Sequence, residues 1–154
     1  MMSRPAACIA FGMTPLPLAG SHDRPLNRST RSSASTDSRV NRQRFGGHDL
    51  AAIASYALLR QVADTAAAAG LALRIGNVFS SDLFYHPDPG LFDLLERLGV
   101  LGVEMEAAGL YGLAAELGVE ALAVLAVSDH IARGERMDTT QRESGLDAML
   151  RVVL

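Results

Sequence analysis

Two carboxylates flank a methionine at Glu104-Met105-Glu106, where an apolar segment ends and a helical pattern begins. Carboxylates are costly to bury without a partner, so two acids at the edge of a core predict a bound ligand rich in hydroxyl groups. A further acid, Asp129, ends the next apolar run, Ala121-Leu-Ala-Val-Leu-Ala-Val-Ser-Asp129. The pattern predicts that acids at two neighbouring strand ends lie side by side in one site.

Helical and strand patterns alternate around these acids, which predicts an α/β domain with a mostly parallel sheet flanked by helices. Predicted helices cover 50–69, 89–98, 106–117 and 141–153, and predicted strands cover 71–79, 100–105 and 121–127. The continuous apolar segment 121–127 is typical of a parallel strand covered on both faces. Ligands of such sheets bind beyond the carboxyl ends of the strands, where the three residues 104–106 and Ser128 are expected.

Capping residues mark the ends of the predicted helices. Asp49 is the expected N-cap of the first, and Asp88 precedes the second. Thr140 and Glu143 have the spacing of a capping box for the last helix. Glycines are expected to end three helices, at Gly70, Gly99 and Gly118.

Composition excludes several classes of function. The 154 residues are 49% hydrophobic, which is enough for one packed domain. A net charge of -3 predicts no nucleic-acid partner and no anionic membrane surface. The single cysteine, Cys8, cannot form an internal disulfide, and no Cys/His spacing predicts a metal site, so we expect a reducing, cytoplasmic location. No apolar run reaches the length of a membrane span.

The sequence divides near residue 35. Residues 1–34 are rich in proline, arginine and serine and show no helical or strand period, so this segment is expected to be disordered or misread. Residues 35–154 carry the regular pattern of the α/β domain.

Four motifs carry a family resemblance: Ser35-Thr-Asp-Ser-Arg-Val-Asn-Arg42, Gly76-Asn-Val-Phe-Ser-Ser-Asp-Leu-Phe-Tyr85, Gly99-Val-Leu-Gly-Val-Glu-Met-Glu-Ala-Ala-Gly109 and Val127-Ser-Asp-His-Ile131. In this order they closely resemble the C-terminal half of the bacterial, hexameric type of purine nucleoside phosphorylase. Glu-Met-Glu alone would indicate only the wider purine nucleoside and uridine phosphorylase superfamily. The resemblance implies a partial phosphorylase-type α/β fold that lacks the N-terminal strands.

The implied reaction is reversible phosphorolysis of a ribonucleoside or deoxyribonucleoside to a free base and the sugar 1-phosphate. Inorganic phosphate would be the co-substrate, with no cofactor or metal, and the family implies a homo-oligomer, a hexamer. Three other functions stay open: a uridine phosphorylase, a nucleoside hydrolase in which water replaces phosphate, and an inactive fragment that still binds a nucleoside.

The resemblance also implies roles for individual residues. Glu106 would bind the ribose hydroxyls, Met105 would pack on the sugar and Phe84 on the purine. Asp129 would protonate the purine at N7, assisted by Arg142. The remaining implied substrate-binding residues are Val103, Glu104 and Ser128. From residue type alone, Tyr85 is expected in the core, and His130 fits a structural role as well as a catalytic one.

The family's phosphate site, a glycine-rich loop with arginines, is expected before residue 35, and no motif there aligns with it. Asp23-Arg-Pro-Leu-Asn-Arg28 superficially resembles an Asp-Pro-Leu-Arg element, which we interpret as coincidence. Our hypothesis is that residues 1–34 come from a misread reading frame joined to the genuine C-terminal half. Loss of the phosphate-binding part would impair phosphorolysis, because positioning supplies much of the catalytic advantage.

Overall fold

The computed structural model of the chain describes residues 6–12, 32–36, 39–130 and 135–153. The strands in this part are β1 Ala6–Gly12, β2 Ser33–Thr36, β3 Ala52–Ile53, β4 Val78–Ser80, β5 Gly102–Glu104, β6 Glu120–Ala126, β7 Asp129–His130 and β8 Glu135–Arg136. The helices are α1 Arg39–Arg44, α2 Tyr56–Ala68, α3 Leu91–Arg97, α4 Ala107–Leu117 and α5 Thr139–Val153.

The main sheet has the strand order β3-β2-β4-β5. Strands β2, β4 and β5 are parallel, and β3 is an antiparallel edge strand. Their register places Ser80 opposite both Thr36 and Glu104. Strand β6 pairs in parallel with β1, and β7 pairs antiparallel with β8. The predicted α/β class and the mostly parallel pairing are therefore confirmed.

Helix α4 is the central packing element, because it contacts β6 as well as β2, β3 and β4. Its buried face consists of small residues around one aromatic ring: Ala107, Ala108, Tyr111, Gly112 and Ala114. The Tyr111 hydroxyl accepts a hydrogen bond from the backbone N–H of Ala123 at 3.0 Å, which ties α4 to β6. Small side chains bring the helix close to the strands, so the position of its N-terminus is well defined.

The first predicted helix is shorter than expected. It begins at Tyr56 with Ser55 as N-cap, not after Asp49, because Ala52–Ile53 pairs with β2 instead. The Ser55 hydroxyl accepts from the N–H of Leu58 at 3.4 Å. Gly70 ends the helix as predicted, with a left-handed φ of 67°.

Other boundaries also differ from prediction. Of the predicted strand 71–79 only Val78 and Phe79 form a strand, which continues to Ser80, because β2 and β5 pair with Val78–Ser80 alone. Helix α3 begins at Leu91, and Asp88 instead accepts from the N–H of Gly90 at 2.8 Å in a turn before it. Gly99 and Gly118 have positive φ at the ends of α3 and α4, as predicted.

The structure describes two parts of the segment 1–34. Ala6–Gly12 is a strand whose apolar sequence pairs along its whole length with the equally apolar β6. Residues 33 and 34 belong to β2. The rest of the predicted segment, apart from residue 32, lies outside the described residues, including Asp23-Arg-Pro-Leu-Asn-Arg28.

Candidate active site

A buried polar network joins the ends of β4 and β5 to the start of α4. The Glu104 side chain is 1% exposed. Its Oε2 accepts from the backbone N–H groups of Glu106 at 2.7 Å and Ala107 at 2.6 Å. Its Oε1 accepts from the Ser80 hydroxyl. This carboxylate is thus satisfied by three donors within the protein, as a buried acid requires.

Ser80 completes the same network. Its Oγ accepts from the backbone N–H of Ala108 at 2.9 Å while its hydroxyl hydrogen is donated to Glu104. The first N–H groups of a helix have no partner within the helix. Ser80 and Glu104 accept hydrogen bonds from three consecutive N–H groups at the start of α4. The negative charge of the Glu104 carboxylate complements the positive end of the helix dipole.

These contacts change the interpretation of two predicted substrate-binding residues. Glu104 is enclosed by its protein donors and does not face an open surface. Val103 is buried among Phe79, Leu95 and Val100 in a small apolar cluster. Its side chain belongs to the core because it alternates with Glu104 along β5.

Met105 and Glu106 lie at the exposed N-terminus of α4, as the sequence predicts. Glu106 is the N-cap residue, and its Oε2 accepts from the N–H of Met105 at 3.2 Å. Its backbone N–H is donated to Glu104, so main chain and side chain are both held. An exposed carboxylate of this kind can accept hydrogen bonds from two adjacent hydroxyl groups.

Two aromatic side chains project from the loop after β4. Phe84 is 67% exposed and Tyr85 is 88% exposed, with ring centroids 5.0 Å apart in an edge-to-face arrangement. The expected core position of Tyr85 is therefore wrong; its ring packs on Phe84. Ser81 fixes the start of the loop, because its N–H is donated to the carbonyl of Glu104 at 2.8 Å and its hydroxyl to that of Leu83 at 2.8 Å.

Asp129 and Arg142 are brought together from different elements. Nη2 of Arg142 lies 3.6 Å from Oδ1 of Asp129. The Ser128 hydroxyl is donated to the other carboxylate oxygen, Oδ2, at 2.8 Å. The three residues named by the sequence thus form one contact group, in which a cation and a hydroxyl both lie against the Asp129 carboxyl group.

A capping box at the start of α5 positions Arg142. Oδ1 of Asp138 accepts from the N–H of Gln141 at 2.8 Å, and Oε1 of Gln141 accepts from the N–H of Asp138 at 3.0 Å. The N–H of Arg142 is donated to the carbonyl of Asp138 at 3.1 Å. The predicted pair of Thr140 and Glu143 is wrong because the helix begins two residues earlier than predicted, at Thr139. The Asp-x-x-Gln spacing is the sequence signal for this start.

The two groups of predicted residues belong to different sheets. Glu104 ends β5 in the four-stranded sheet, whereas Asp129 follows β6, which pairs with β1 in the part of the chain that the structure describes. The expectation of acids on neighbouring strands is therefore wrong. Helix α4 connects the two groups instead, because its N-terminus follows Glu104 and its buried face packs on β6.

Within residues 6–12, 32–36, 39–130 and 135–153, no group of three or more His, Cys, Asp or Glu side chains could hold a metal ion. No helix in that same part of the chain combines the length and apolar character needed to cross a membrane.

Comparison with known proteins identifies the family to which most of this chain is similar. The family model of the phosphorylase superfamily matches residues 23–151. The match begins before residue 35 and thus includes Asp23-Arg-Pro-Leu-Asn-Arg28, whose resemblance to the family's Asp-Pro-Leu-Arg element the sequence alone does not establish.

Curated relatives are similar over most of the chain. The purine nucleoside phosphorylase DeoD-type of Shewanella denitrificans is 57% identical over 121 residues, which cover 79% of this chain and 51% of the relative. The protein of the same name from Tolumonas auensis is 53% identical, and the DeoD-type 2 protein of Vibrio cholerae is 54% identical, each with the same coverage. The chain spans about half the length of the curated relatives it matches.

Proposed function

Because this chain belongs to the phosphorylase superfamily, we propose that it binds a purine nucleoside and takes part in its phosphorolysis. In this reaction the bond between C1′ and the base breaks, its electron pair goes to the base, and a phosphate oxygen bonds to C1′. The observation that carries the proposal is the contact of Arg142 and Ser128 with Asp129. The names of the relatives, purine nucleoside phosphorylases, support the choice of a purine nucleoside.

Asp129 is the proposed proton donor to the base. A base that leaves with an electron pair is a better leaving group when it is protonated, and such general acid catalysis contributes about 10²–10⁴-fold. Arg142 lies 3.6 Å away and Ser128 donates to the second oxygen, so both stabilise the carboxylate that remains after proton transfer. Their contacts thus assist the reaction as the proton moves to the purine.

Glu106 is the proposed ligand of the ribose hydroxyls. Its carboxylate is exposed at the N-terminus of α4, where its Oε2 accepts from the Met105 N–H. Hydrogen bonds from two neighbouring hydroxyl groups would fix the sugar. The sugar becomes positively charged as the bond to the base breaks, and a nearby carboxylate stabilises this charge. Exposed Met105 would pack on the sugar.

Phe84 is the proposed partner of the purine ring. Its exposed ring has Tyr85 at an edge-to-face angle, which holds the ring while a face stays open for stacking. Aromatic pairs of this kind contribute about 0.5–1.5 kcal/mol beyond the buried area. Phe84 would bind the apolar face of the purine, and Asp129 would bind its polar edge.

Inorganic phosphate is the proposed co-substrate, and the reaction uses no cofactor. The phosphate dianion requires cationic or backbone donors. We therefore expect turnover to depend on phosphate concentration, with inosine converted to hypoxanthine and ribose 1-phosphate.

The direct test is to incubate the purified chain with inosine or uridine, with and without phosphate. Phosphate-dependent formation of hypoxanthine, abolished in Asp129→Asn, would support the proposal. Cleavage of uridine alone would instead assign a uridine phosphorylase, and release of free ribose without phosphate would assign a nucleoside hydrolase. Binding of inosine without cleavage would show that the chain is an inactive fragment that still binds a nucleoside. The last three results would each contradict phosphorolysis of a purine nucleoside by this chain.

The proposed assembly and location follow the resemblance to the hexameric phosphorylases. Sedimentation velocity of the purified chain tests the hexamer, which predicts one species at six times the chain mass of 16.3 kDa. Fractionation of cells that produce the chain tests the proposed cytoplasmic location.

A further inference from the structure

We propose that Ser80 and Glu104 are positioning residues: they hold the first turn of α4 and thereby orient Glu106 toward the ribose, without touching the nucleoside themselves. This inference rests on the proposed function, because it assigns the effect to the sugar-binding part of that site. It reverses the role that the sequence suggested for Glu104, which was direct contact with substrate.

The first support is the register of the main sheet. Ser80 and Glu104 end adjacent parallel strands and stand directly opposite each other. The Ser80 hydroxyl is donated to Oε1 of Glu104, so each side chain fixes the other. Both are buried, at 4% and 1% exposure, and the pair forms a rigid polar platform below α4.

The second support is the set of donors that the platform binds. The N–H groups of Glu106, Ala107 and Ala108 are consecutive, and each points to Glu104 or Ser80 at 2.6–2.9 Å. The three donors that contact the Glu104 carboxylate belong to the helix end and to Ser80. A nucleoside hydroxyl would have to displace one of these buried donors to reach Glu104.

The third support is that Glu106 is held from two sides. Its N–H is donated to Glu104, and its side chain accepts from the N–H of Met105. If the platform is lost, the peptide between Met105 and Glu106 gains freedom to rotate. The carboxylate then spends less time in the orientation that accepts two ribose hydroxyls, whereas Phe84 and Asp129 lie on other segments and keep their contacts with the base.

This difference between sugar and base defines the experiment. We would measure the dissociation constants of inosine and of hypoxanthine for the full-length chain and its variants by calorimetry. Ser80→Ala leaves the buried N–H of Ala108 without its acceptor, and Glu104→Gln removes the charge and turns one acceptor oxygen of the network into a donor. Each substitution should weaken inosine binding about tenfold. The dissociation constant of hypoxanthine should stay within about twofold, because the base makes no contact with Glu106. Ser80→Thr keeps the hydroxyl and should restore inosine binding.

Ser55→Ala is the matched control. It removes another serine hydroxyl that accepts from a helix N-terminus, that of α2, and should lower thermal stability to a similar degree. A merely structural role of Ser80 predicts that Ser80→Ala and Ser55→Ala change inosine and hypoxanthine binding alike. That outcome, or an unchanged inosine constant in both Ser80→Ala and Glu104→Gln, would overturn the proposal.

Amide hydrogen exchange of the ligand-free chain separates this inference from the proposed function. Ser80→Ala should accelerate exchange at Glu106, Ala107 and Ala108 by about tenfold and leave the amides of α2 unchanged. If the unmodified chain binds no inosine, the proposed function fails by itself. Unchanged exchange at these three amides would then refute the platform independently.

Discussion

Arg142 lies with its Nη2 3.6 Å from Oδ1 of Asp129, although the two residues come from the first turn of α5 and the start of β7. Both side chains are partly exposed, at 53% and 35%, so the pair is open to solvent and contributes little to folding. The Ser128 hydroxyl is donated to the same carboxylate, which is the proposed proton donor to the base.

The first prediction concerns this pair. Asp129→Asn removes the proposed proton donor, and we expect kcat to fall about 10²–10⁴-fold. Arg142→Ala removes only the assisting charge, and we expect a smaller loss of about tenfold with the stability changed by less than about 1 kcal/mol. Steady-state kinetics with inosine and urea denaturation would measure both effects.

Arg60→Ala is the matched control for Arg142→Ala. Nε of Arg60 lies 3.6 Å from Oδ2 of Asp64 on the surface of α2, in a pair of the same length and greater exposure. Its loss should leave kcat unchanged. Equal kinetic effects of the two arginine substitutions would contradict the role given to Arg142.

The second prediction tests the capping box of α5. Asp138→Ala removes the acceptor of the Gln141 N–H and should lower the free energy of unfolding by about 0.5–2 kcal/mol. Thr140→Ala, at the cap position that the sequence favoured, should change it by less than about 0.5 kcal/mol. Chemical denaturation followed by circular dichroism measures both; a larger cost for Thr140→Ala would place the helix start where the sequence predicted it.

The third prediction compares two glycines of α4. A Cβ at Gly109 would meet nothing within 4 Å, so Gly109→Ala should raise the free energy of unfolding by about 0.5–1 kcal/mol. A Cβ at Gly112 would lie 2.9 Å from Oδ1 of Asn41, whose Nδ2 is donated to the carbonyl of Ala108 at 2.8 Å.

Gly112→Ala must therefore displace Asn41 and break its bond to α4. We expect no gain in stability from it, or a loss of about 1 kcal/mol. Thermal unfolding of both variants under identical conditions makes the comparison. A Gly112→Ala protein as stable as Gly109→Ala would show that α1 does not approach α4 as closely as described.

The fourth prediction separates the two exposed aromatic residues. Phe84→Ala should weaken inosine and hypoxanthine binding alike, by about 0.5–1.5 kcal/mol, because both ligands present the purine ring. Tyr85→Phe keeps the edge-to-face packing on Phe84 and should leave both affinities unchanged. Calorimetry would measure both affinities. If Phe84→Ala weakened the binding of one ligand only, or if Tyr85→Phe weakened binding more than Phe84→Ala, the assignment would be wrong.

Local features of this fold could be predicted from the sequence. Gly70, Gly99 and Gly118 end helices with left-handed φ, a conformation that glycine adopts without strain. The apolar run of β6 and the position of Glu106 at a helix start also follow from short patterns. The pairing of Asp129 with Arg142 was implied by the family resemblance, which carries information about long-range contacts that periodicity does not.

Long-range features could not be predicted. Nothing in the apolar run of β6 states that its partner is β1 and not β5, because any buried strand offers the same backbone donors. Glu104 and Glu106 are the same residue type two positions apart. Glu104 is nevertheless buried and hydrogen-bonded to the Ser80 hydroxyl, whereas Glu106 is exposed. That distinction depends on the register of β4 against β5, which only the folded sheet defines.

Calorimetric titration of inosine into the unmodified chain and into Glu106→Gln tests the central claim most directly, with Asp147→Asn as a control for the loss of an exposed acid. We predict saturable binding of inosine to the unmodified chain and to the control. In Glu106→Gln we expect binding to be weaker by about 1.5–3 kcal/mol, the contribution of hydrogen bonds to a charged group. Equal affinity of all three proteins, or no binding of inosine to the unmodified chain, would contradict a nucleoside site at the start of α4.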